Sequence, residues 1–169
     1  LWRIQHRGFS IAPRPVFGHD LVFAIIDRDH PELWAIRPDG NGDVTDTHVA
    51  WKHIKSMPQR CAPMLVEDLL YLVNRAGIAT CLDARTGALV WRERLPGKYS
   101  ASPICAGNRI YLFNEDATAT VIQPGRELRI VATNALAREQ LRATPAVDGD
   151  AFIVRTEGHL YRIGDGSSR

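Results

Sequence analysis

The sequence predicts an all-β fold of about four four-stranded antiparallel sheets, arranged as β-propeller blades in a partial ring or a closed four-bladed ring. Three observations lead to this prediction: a repeat of about forty residues, short apolar runs separated by turn residues, and tryptophans at one fixed place in the repeat. Helical periodicity is missing, apart from a weak pattern over residues 134–140.

The repeat emerges when the chain is aligned with itself on proline. Pro15, Pro63, Pro103 and Pro145 lie 48, 40 and 42 residues apart, and each opens an apolar run, a polar turn and a second apolar run. A four-stranded propeller blade repeats every ~40–50 residues. The alignment therefore predicts blades over approximately residues 13–55, 60–97, 100–136 and 142–165, with residues 1–5 as an outer strand.

The second unit shows the four strands of one blade. Its proline stands at a strand start, where the missing N–H is tolerated. Gly, Asn and Asp separate the apolar runs, as in antiparallel hairpins. The predicted strands cover residues 62–66, 69–73, 78–83 and 88–95.

Tryptophan recurs just before each new unit. Trp2, Trp51 and Trp91 precede the next proline by 13, 12 and 12 residues, and Ile130 takes this place 15 residues before Pro145. A flat ring suits the wedge-shaped gap between neighbouring blades, where it buries ~150–250 Å². We therefore expect the tryptophans to pack between blades.

Residues 81–91 read Cys-Leu-Asp-Ala-Arg-Thr-Gly-Ala-Leu-Val-Trp. This string resembles the tryptophan-docking repeat of quinoprotein (PQQ-like) β-propellers, in which Ala, Asp, Thr-Gly and Trp recur at this spacing. Asp83, Thr86, Gly87 and Trp91 match, while Cys81 stands where alanine is usual. Asp83 can accept N–H groups in the turn, and Gly87 supplies a positive φ. The whole chain resembles the C-terminal half of these proteins.

The units at both ends look incomplete. The last unit has a second strand over residues 150–155 and a third over 159–163, and the chain opens without Met inside a strand-like run. We expect the N-terminus to be a cut edge. Residues 1–5 either complete the last blade and close a four-bladed ring, or belong to a preceding blade. The resemblance implies seven or eight blades, which favours an open half-ring or a homodimer that pairs its open edges.

Composition narrows the function classes. The net charge of the 169 residues is +2, which gives no footprint for nucleic acid, and no run of 18 apolar residues could span a membrane. Cys61, Cys81 and Cys105 lie in apolar runs, so we expect small buried side chains rather than disulfides or metal ligands. The six histidines follow no metal-binding spacing.

The resemblance also implies an alternative function, that of an enzyme. The family's enzymes bind pyrroloquinoline quinone (PQQ) with calcium and oxidise alcohols or sugars, stacking the cofactor on a Trp, often beneath an adjacent cysteine pair. This chain has no adjacent cysteines, so no residue is assigned to PQQ. Residues 39–43, Asp-Gly-Asn-Gly-Asp, have the spacing of a calcium loop but lack the later Gly and Glu, so no calcium ligand is assigned.

One arginine pattern is a candidate ligand site. Arg14, Arg60 and Arg142 stand just before the innermost strand of three units, and Ser100 takes this place in the remaining one. In a propeller these positions lie near one mouth of the central channel, where guanidinium groups could bind a carboxylate or phosphate. The alternative is that each arginine pairs locally or is solvated.

We therefore favour a non-catalytic scaffold or binding module that presents loops to a protein, peptide or glycan, as the outer-membrane assembly scaffold of this fold does. The alternative is a fragment of a PQQ-dependent alcohol or sugar dehydrogenase. The resemblance implies a periplasmic or secreted parent protein.

Overall fold

Short apolar runs alternate with turn residues along the whole chain, and each run forms a strand. The computed structural model describes residues 1–9, 11–136 and 138–164. Seventeen β-strands and no helix lie in these ranges: fifteen strands pair antiparallel in four sheets, and the remaining two pair in parallel as a two-stranded sheet. The all-β fold predicted from the sequence is confirmed.

Three sheets have four strands each and one has three. In each of these four sheets the chain runs from the first strand outward, and each strand pairs antiparallel with the next strand of that sheet. Blade 1 contains β2 (Val16–Gly18), β3 (Leu21–Ile26), β4 (Glu32–Ile36) and β6 (Val49–His53). Blade 2 contains β7 (Met64–Val66), β8 (Leu69–Val73), β9 (Ile78–Asp83) and β10 (Leu89–Arg94). Blade 3 contains β11 (Ile104–Ala106), β12 (Arg109–Phe113), β13 (Thr118–Gln123) and β14 (Arg129–Ala135), and blade 4 contains β15 (Ala146–Asp148), β16 (Ala151–Arg155) and β17 (Leu160–Ile163).

The connections between strands divide over two ends of each sheet, because successive antiparallel strands alternate in direction. One end carries the loops between second and third strands and the blade-to-blade connections, and we call it the connector face. It comprises residues 27–31, 54–63, 74–77, 95–103, 114–117, 138–145 and 156–159. The opposite end, the hairpin face, carries the turns after the first and third strands.

The core lies in the seams between adjacent blades. Successive residues of β8 alternate sides: Leu70 and Leu72 pack toward blade 1, while Tyr71 and Val73 pack toward blade 3. Every residue of this strand is buried because a blade stands on each side of it. A third apolar cluster joins blades 3 and 4 around Leu141 and Val154.

Each docking tryptophan packs against the next blade's connection between third and fourth strands. The Trp51 ring covers Gly87 so closely that a Cβ there would lie 2.6 Å from a ring carbon, and Trp91 Nε1 donates to the Gly125 carbonyl at 3.2 Å. The turn that presents Gly87 is held by Asp83, whose Oδ1 accepts from the Thr86 N–H and hydroxyl. Gly87 has φ +72°, the left-handed region expected from its sequence.

The N-terminal strand also packs against the blade that follows it. β1 (Trp2–Arg3) pairs in parallel with β5 (Gly42–Asp43), which lies in the connection between third and fourth strands of blade 1. Trp2 is the register partner of Gly42 and packs against Ile26, Trp34 and Ile36 of blade 1. No atom lies within 4 Å of a Cβ built at Gly42, so the tight packing of Trp51 on Gly87 is not repeated there. The alternative that residues 1–5 complete the last blade and close a four-bladed ring is wrong, because β1 pairs with β5, and β17 pairs only with β16 among the described strands.

Two smaller expectations are corrected. The weak helical pattern over residues 134–140 does not yield a helix in the described part of that segment, because β14 continues to Ala135 by pairing with β13. Cys61 and Cys81 are buried as expected, and burial raises the pKa of both thiols to about 12. Cys105 is exposed instead, because it occupies the middle of an innermost strand, where Phe17 and Val147 are exposed as well.

Candidate functional site at the connector face

Asparagine side chains shape the loops of the connector face. Asn114 Oδ1 accepts from the N–H groups of Asp116 and Thr118 at 3.1 and 2.9 Å, and Asn74 Oδ1 accepts from the Ile78 N–H at 3.0 Å. Asparagine favours such turns because its side chain satisfies backbone donors that no strand pairs.

Backbone hydrogen bonds tie these loops to the blade-to-blade connections. The Tyr99 N–H donates to the Arg75 carbonyl at 3.2 Å, and the Glu115 N–H donates to the Lys98 carbonyl at 2.6 Å. The Leu141 N–H donates in turn to the Glu115 carbonyl at 3.0 Å. The residue that follows each turn asparagine is therefore fixed between two blades.

A second series of hydrogen bonds joins the innermost strands where they begin. The Ala62 N–H donates to Ser102 Oγ, and the Ser102 N–H donates to Thr144 Oγ1, both at 2.9 Å. These residues immediately precede the repeat prolines of blades 2, 3 and 4. Each hydroxyl satisfies a backbone donor of the preceding blade, which sets the spacing of the blades near the axis.

Glu115 is the buried carboxylate of this face, with 9% of its surface exposed. Its Oε1 accepts from the Ser100 hydroxyl at 2.6 Å and lies 3.6 Å from Arg75 Nε. The Ser100 hydrogen bond and then the charges of Arg75, Arg142 and Arg60 lower the pKa of Glu115, against an opposing effect of burial. The carboxylate is therefore ionised at neutral pH.

Two of the three sequence-predicted arginines, Arg60 and Arg142, lie in blade-to-blade connections of the same face as Glu115. Arg60 and Arg142 are both exposed, and both act electrostatically on Glu115. Arg142 Nη2 also donates to Gln140 Oε1 at 2.9 Å. We call Arg60, Arg75, Ser100, Glu115 and Arg142 the arginine cluster. It combines three guanidinium groups with one carboxylate, so a net positive charge remains.

Arg14 does not belong to the arginine cluster. It immediately precedes Pro15 and is thus equivalent to Ala62, Ser102 and Thr144 rather than to Arg60, which lies three residues before its proline. Arg14 is exposed on blade 1, one blade before Arg60. Its expected role in a shared ligand site with Arg60 and Arg142 stays a prediction that the geometry does not favour.

Sequence reasoning missed Arg75 and Glu115. Both follow the turn asparagine between second and third strands of consecutive blades, so an alignment of the repeats on Asn74 and Asn114 could have found them. The pattern does not reveal the contact, because Arg75 and Glu115 meet only when two blades stack.

Two open cavities flank the cluster on the connector face. One of about 440 Å³ is lined by Arg75 and Lys98 together with Asn74 and Gln59. Another of about 350 Å³ is lined by Arg142, Arg155, Gln140 and Glu157. Together with the cluster they form a surface that combines basic side chains with recesses large enough for side chains of a partner.

The acidic side chains of the candidate calcium loop, residues 39–43, contact neighbouring residues of the same connection. Asp43 Oδ1 accepts from the Thr45 N–H and hydroxyl at 3.2 and 2.7 Å, and Asp39 Oδ1 lies 3.6 Å from His48 Nε2. Over residues 1–9, 11–136 and 138–164, no group of three or more His, Cys, Asp or Glu side chains is placed to hold a metal ion. In the same ranges no helix is long and apolar enough to cross a membrane.

Comparison with known proteins identifies the family of this repeat. The family described as outer membrane protein assembly factor BamB matches residues 26–168 of the chain. The chain belongs to this family. BamB of Salmonella typhimurium is 25% identical over 101 residues, which are 60% of this chain and 25% of that protein.

Solved structures show the same fold. The crystal structure of BamB from Moraxella catarrhalis superposes with a TM-score of 0.67 at 16% identity, over 89% of this chain and 44% of that one. A quinohemoprotein alcohol dehydrogenase from Pseudomonas putida HK5 superposes with a TM-score of 0.54 at 12% identity, over 68% of this chain and 19% of that one. The chain thus spans less than half of the length of these proteins, and its strands are propeller blades of the PQQ-like type.

Proposed function

We propose that the chain is a non-catalytic propeller module that binds a protein partner through its connector face during the assembly of outer-membrane proteins. The observation that carries this proposal is the arginine cluster. In it the Arg75 guanidinium lies 3.6 Å from the buried Glu115 carboxylate, and the charges of Arg60 and Arg142, from two blade-to-blade connections, act on the same carboxylate. Membership of the BamB family supports a role in the assembly of outer-membrane proteins, and such a role implies a periplasmic location.

The cluster suits an acidic peptide segment. Glu115 orients Arg75 and offsets part of its charge, while Arg60 and Arg142 remain exposed to solvent. Guanidinium groups bind carboxylates through paired N–H donors. Rim arginines of this kind contribute most to association rate and specificity, and their effect weakens with salt.

The experiment uses a tagged chain directed to the periplasm, chemical cross-linking, and quantification of outer-membrane assembly proteins recovered with it. Replacing Arg60, Arg75 and Arg142 by Ala should reduce recovery about tenfold or more. The control replaces Arg85, Arg109 and Arg126, which lie on the hairpin face, and removes the same charge. Equal recovery by both triple variants would refute the role of the cluster, and no recovery by the unchanged chain would refute the module's proposed setting.

A second measurement addresses the dehydrogenase alternative. The purified chain is mixed with PQQ and calcium and assayed for quinone absorbance and dye-linked alcohol oxidation. We expect neither signal. Oxidation above a protein-free control would replace the binding proposal with an enzymatic one.

A further inference from the structure

The cavity of about 440 Å³ on the connector face has an apolar part that the arginine cluster does not use. Met57 is 4% exposed and belongs to the apolar core cluster between blades 1 and 2, yet it also lines this cavity. Pro31 and Ala76 line the cavity as well. A core methionine that borders an open recess offers a polarisable apolar surface to a partner's side chain. We call this recess the Met57 cavity.

Hydrogen bonds fix the walls of the Met57 cavity to one another. Four segments of the connector face form these walls: residues 27–31, 54–63, 74–77 and 95–103. Gln59 Nε2 donates to the Arg28 carbonyl at 3.0 Å, and Asn74 Nδ2 donates to the Ser56 carbonyl at 3.4 Å. Since the walls are already joined, a ligand that enters loses little affinity to ordering them.

The charged side chains that line the Met57 cavity are both cationic. They are Arg75 and Lys98, both exposed, and within the described residues no Asp or Glu lines this cavity. Arg75 is shared with Glu115, whereas Lys98 forms no ion pair in the part of the chain that the structure describes. A ligand carboxylate can therefore pair with Lys98 without displacing Glu115.

The lining of the Met57 cavity favours an aromatic ring over an aliphatic side chain. The thioether of methionine makes favourable contacts with aromatic rings, and ammonium and guanidinium groups are attracted to the ring face. An aliphatic side chain would gain only the apolar contact with Pro31, Met57 and Ala76. A volume of about 440 Å³ accommodates one aromatic side chain.

We infer that the Met57 cavity binds an aromatic side chain of the partner, next to a partner carboxylate that pairs with Lys98. This inference rests on the proposed function and deepens it, because it names the motif that the connector face recognises: an aromatic residue flanked by Asp or Glu. The arginine cluster supplies the attraction for acidic segments, and the Met57 cavity selects among them.

The first test uses three short peptides that differ only at their centre: Glu-Asp-Phe-Asp-Glu and the same peptide with Leu or Ala in place of Phe. Each is titrated into the ¹⁵N-labelled chain at about 50 mM salt, where screening of charges is weak. Nuclear magnetic resonance measures dissociation constants down to affinities on the order of 0.1–1 mM. The Phe peptide should bind about tenfold more tightly than the Ala peptide and about threefold more tightly than the Leu peptide. The backbone amides of Met57 and Ala76 should shift most.

A variant that fills the cavity from within identifies where the ring binds. Ala76 is exposed in the lining, so Ala76→Phe places a ring of the chain itself in the recess. The Phe peptide should then bind no more tightly than the Ala peptide, whose own affinity should stay within about twofold. Ala88→Phe is the matched control at an exposed residue on the hairpin face of the same blade, and it should leave the preference for Phe intact. The ¹⁵N spectra of both variants report whether the fold is kept.

A charge variant tests the role of Lys98. Lys98→Ala should weaken binding of all three peptides about threefold. Lys55→Ala removes the same charge from an exposed residue of the connector face outside the lining, and should have no effect. Equal effects of the two lysine variants would overturn the assigned carboxylate contact.

The unchanged chain alone can overturn the inference. Absence of measurable binding, equal affinities for the three peptides, or a Leu peptide that binds as tightly as the Phe peptide would each do so, and so would a preference for Phe that survives in folded Ala76→Phe. The recovery experiment with the arginine variants separates this inference from the proposed function. Recovery that depends on the cluster, without a preference for Phe, refutes this inference alone. A preference for Phe with recovery that ignores the cluster refutes the proposed function.

Discussion

A docked tryptophan closes the seam between blades 2 and 3. No tryptophan closes the seam between blades 3 and 4, although both seams join copies of the same repeat. In the first, Trp91 Nε1 and the Tyr71 hydroxyl both contact Gly125, so the outer strand is fixed to the next blade. In the second, Ile130 occupies the tryptophan position and is 50% exposed. That seam relies on Phe152, which packs edge-on against Tyr111 with ring centroids 4.6 Å apart.

This difference shows what a docking tryptophan requires. A tryptophan on the outer strand buries its ring only when the next blade offers a connection between third and fourth strands. Blade 4 has no such connection among its described residues, and the outer strand of blade 3 is exposed over nearly its whole length. We therefore expect the two seams to differ in stability although their sequences repeat, and the following variants test this difference.

The largest difference is expected between two equivalent outer-strand positions. Trp91→Ala should lower the free energy of unfolding by about 3 kcal/mol, whereas Ile130→Ala should cost under about 1 kcal/mol because half of its surface already meets solvent. Urea denaturation monitored by circular dichroism measures both. Similar losses at the two positions would show that the seams are closed equally.

The next test adds a methyl group at Gly87, beneath the Trp51 ring. Gly87→Ala places a Cβ against the Trp51 ring at a backbone with φ +72°, and should cost about 2 kcal/mol or more. Gly107→Ala is the control, because φ is +53° there and no atom lies within 4 Å of the new Cβ. It should cost about 1 kcal/mol from backbone strain alone. Equal thermal unfolding midpoints for the two variants would contradict tight docking of Trp51.

Removal of the Tyr71 hydroxyl tests how much its hydrogen bond stabilises the seam between blades 2 and 3. Tyr71→Phe leaves the Gly125 N–H, which donates to the tyrosine oxygen at 2.8 Å, without that partner. The expected cost is about 1–2 kcal/mol. Hydrogen exchange at the Gly125 amide should accelerate in this variant, and unchanged protection there would show that the bond contributes nothing to the seam.

The smallest effect is a pH dependence at the seam between blades 1 and 2. His53 Nδ1 lies 3.3 Å from the Gly87 carbonyl, and its Nε2 lies 3.0 Å from Arg92 Nη2. Burial, and then the Arg92 charge, lower the pKa of His53 below 6.5. Its stabilising contribution is full above about pH 6.5 and is lost as the pH falls through the folded-state pKa.

The free energy of unfolding should fall less between pH 7 and pH 5 in His53→Gln than in the unchanged chain. The difference should be under about 1 kcal/mol, because the ring remains partly solvated. His6→Gln, at an exposed residue near the N-terminus, is the control. A variant at position 53 that keeps the full slope would assign the pH dependence to another group.

Most of the fold follows from local patterns. Pro63, the turn at Asp83 to Gly87 and the position of Trp91 specify one blade from about forty contiguous residues, and the strands form within one or two residues of the predicted bounds. Local hydrogen bonds and alternating apolar residues encode these elements, so a single unit contains the necessary information.

The candidate site was predicted only in part. Arg60 and Arg142 were identified by their distance from the repeat prolines, but Arg14 was grouped with them although its distance differs. Arg75 and Glu115 were not identified, because neither is unusual within its own unit. Only the stacking of blades 2 and 3 brings the guanidinium of one to the carboxylate of the other.

By itself the sequence determined the period, the blade architecture and the turns, because each depends on residues close together in the chain. Tertiary structure decided which side chains meet across the seams, such as Trp51 on Gly87, Arg75 at Glu115, and Trp2 against Trp34. It also decided that Cys105 is exposed although its sequence surroundings are apolar. Burial and charge pairing depend on how neighbouring sheets pack, and the alternation within one strand does not specify that arrangement.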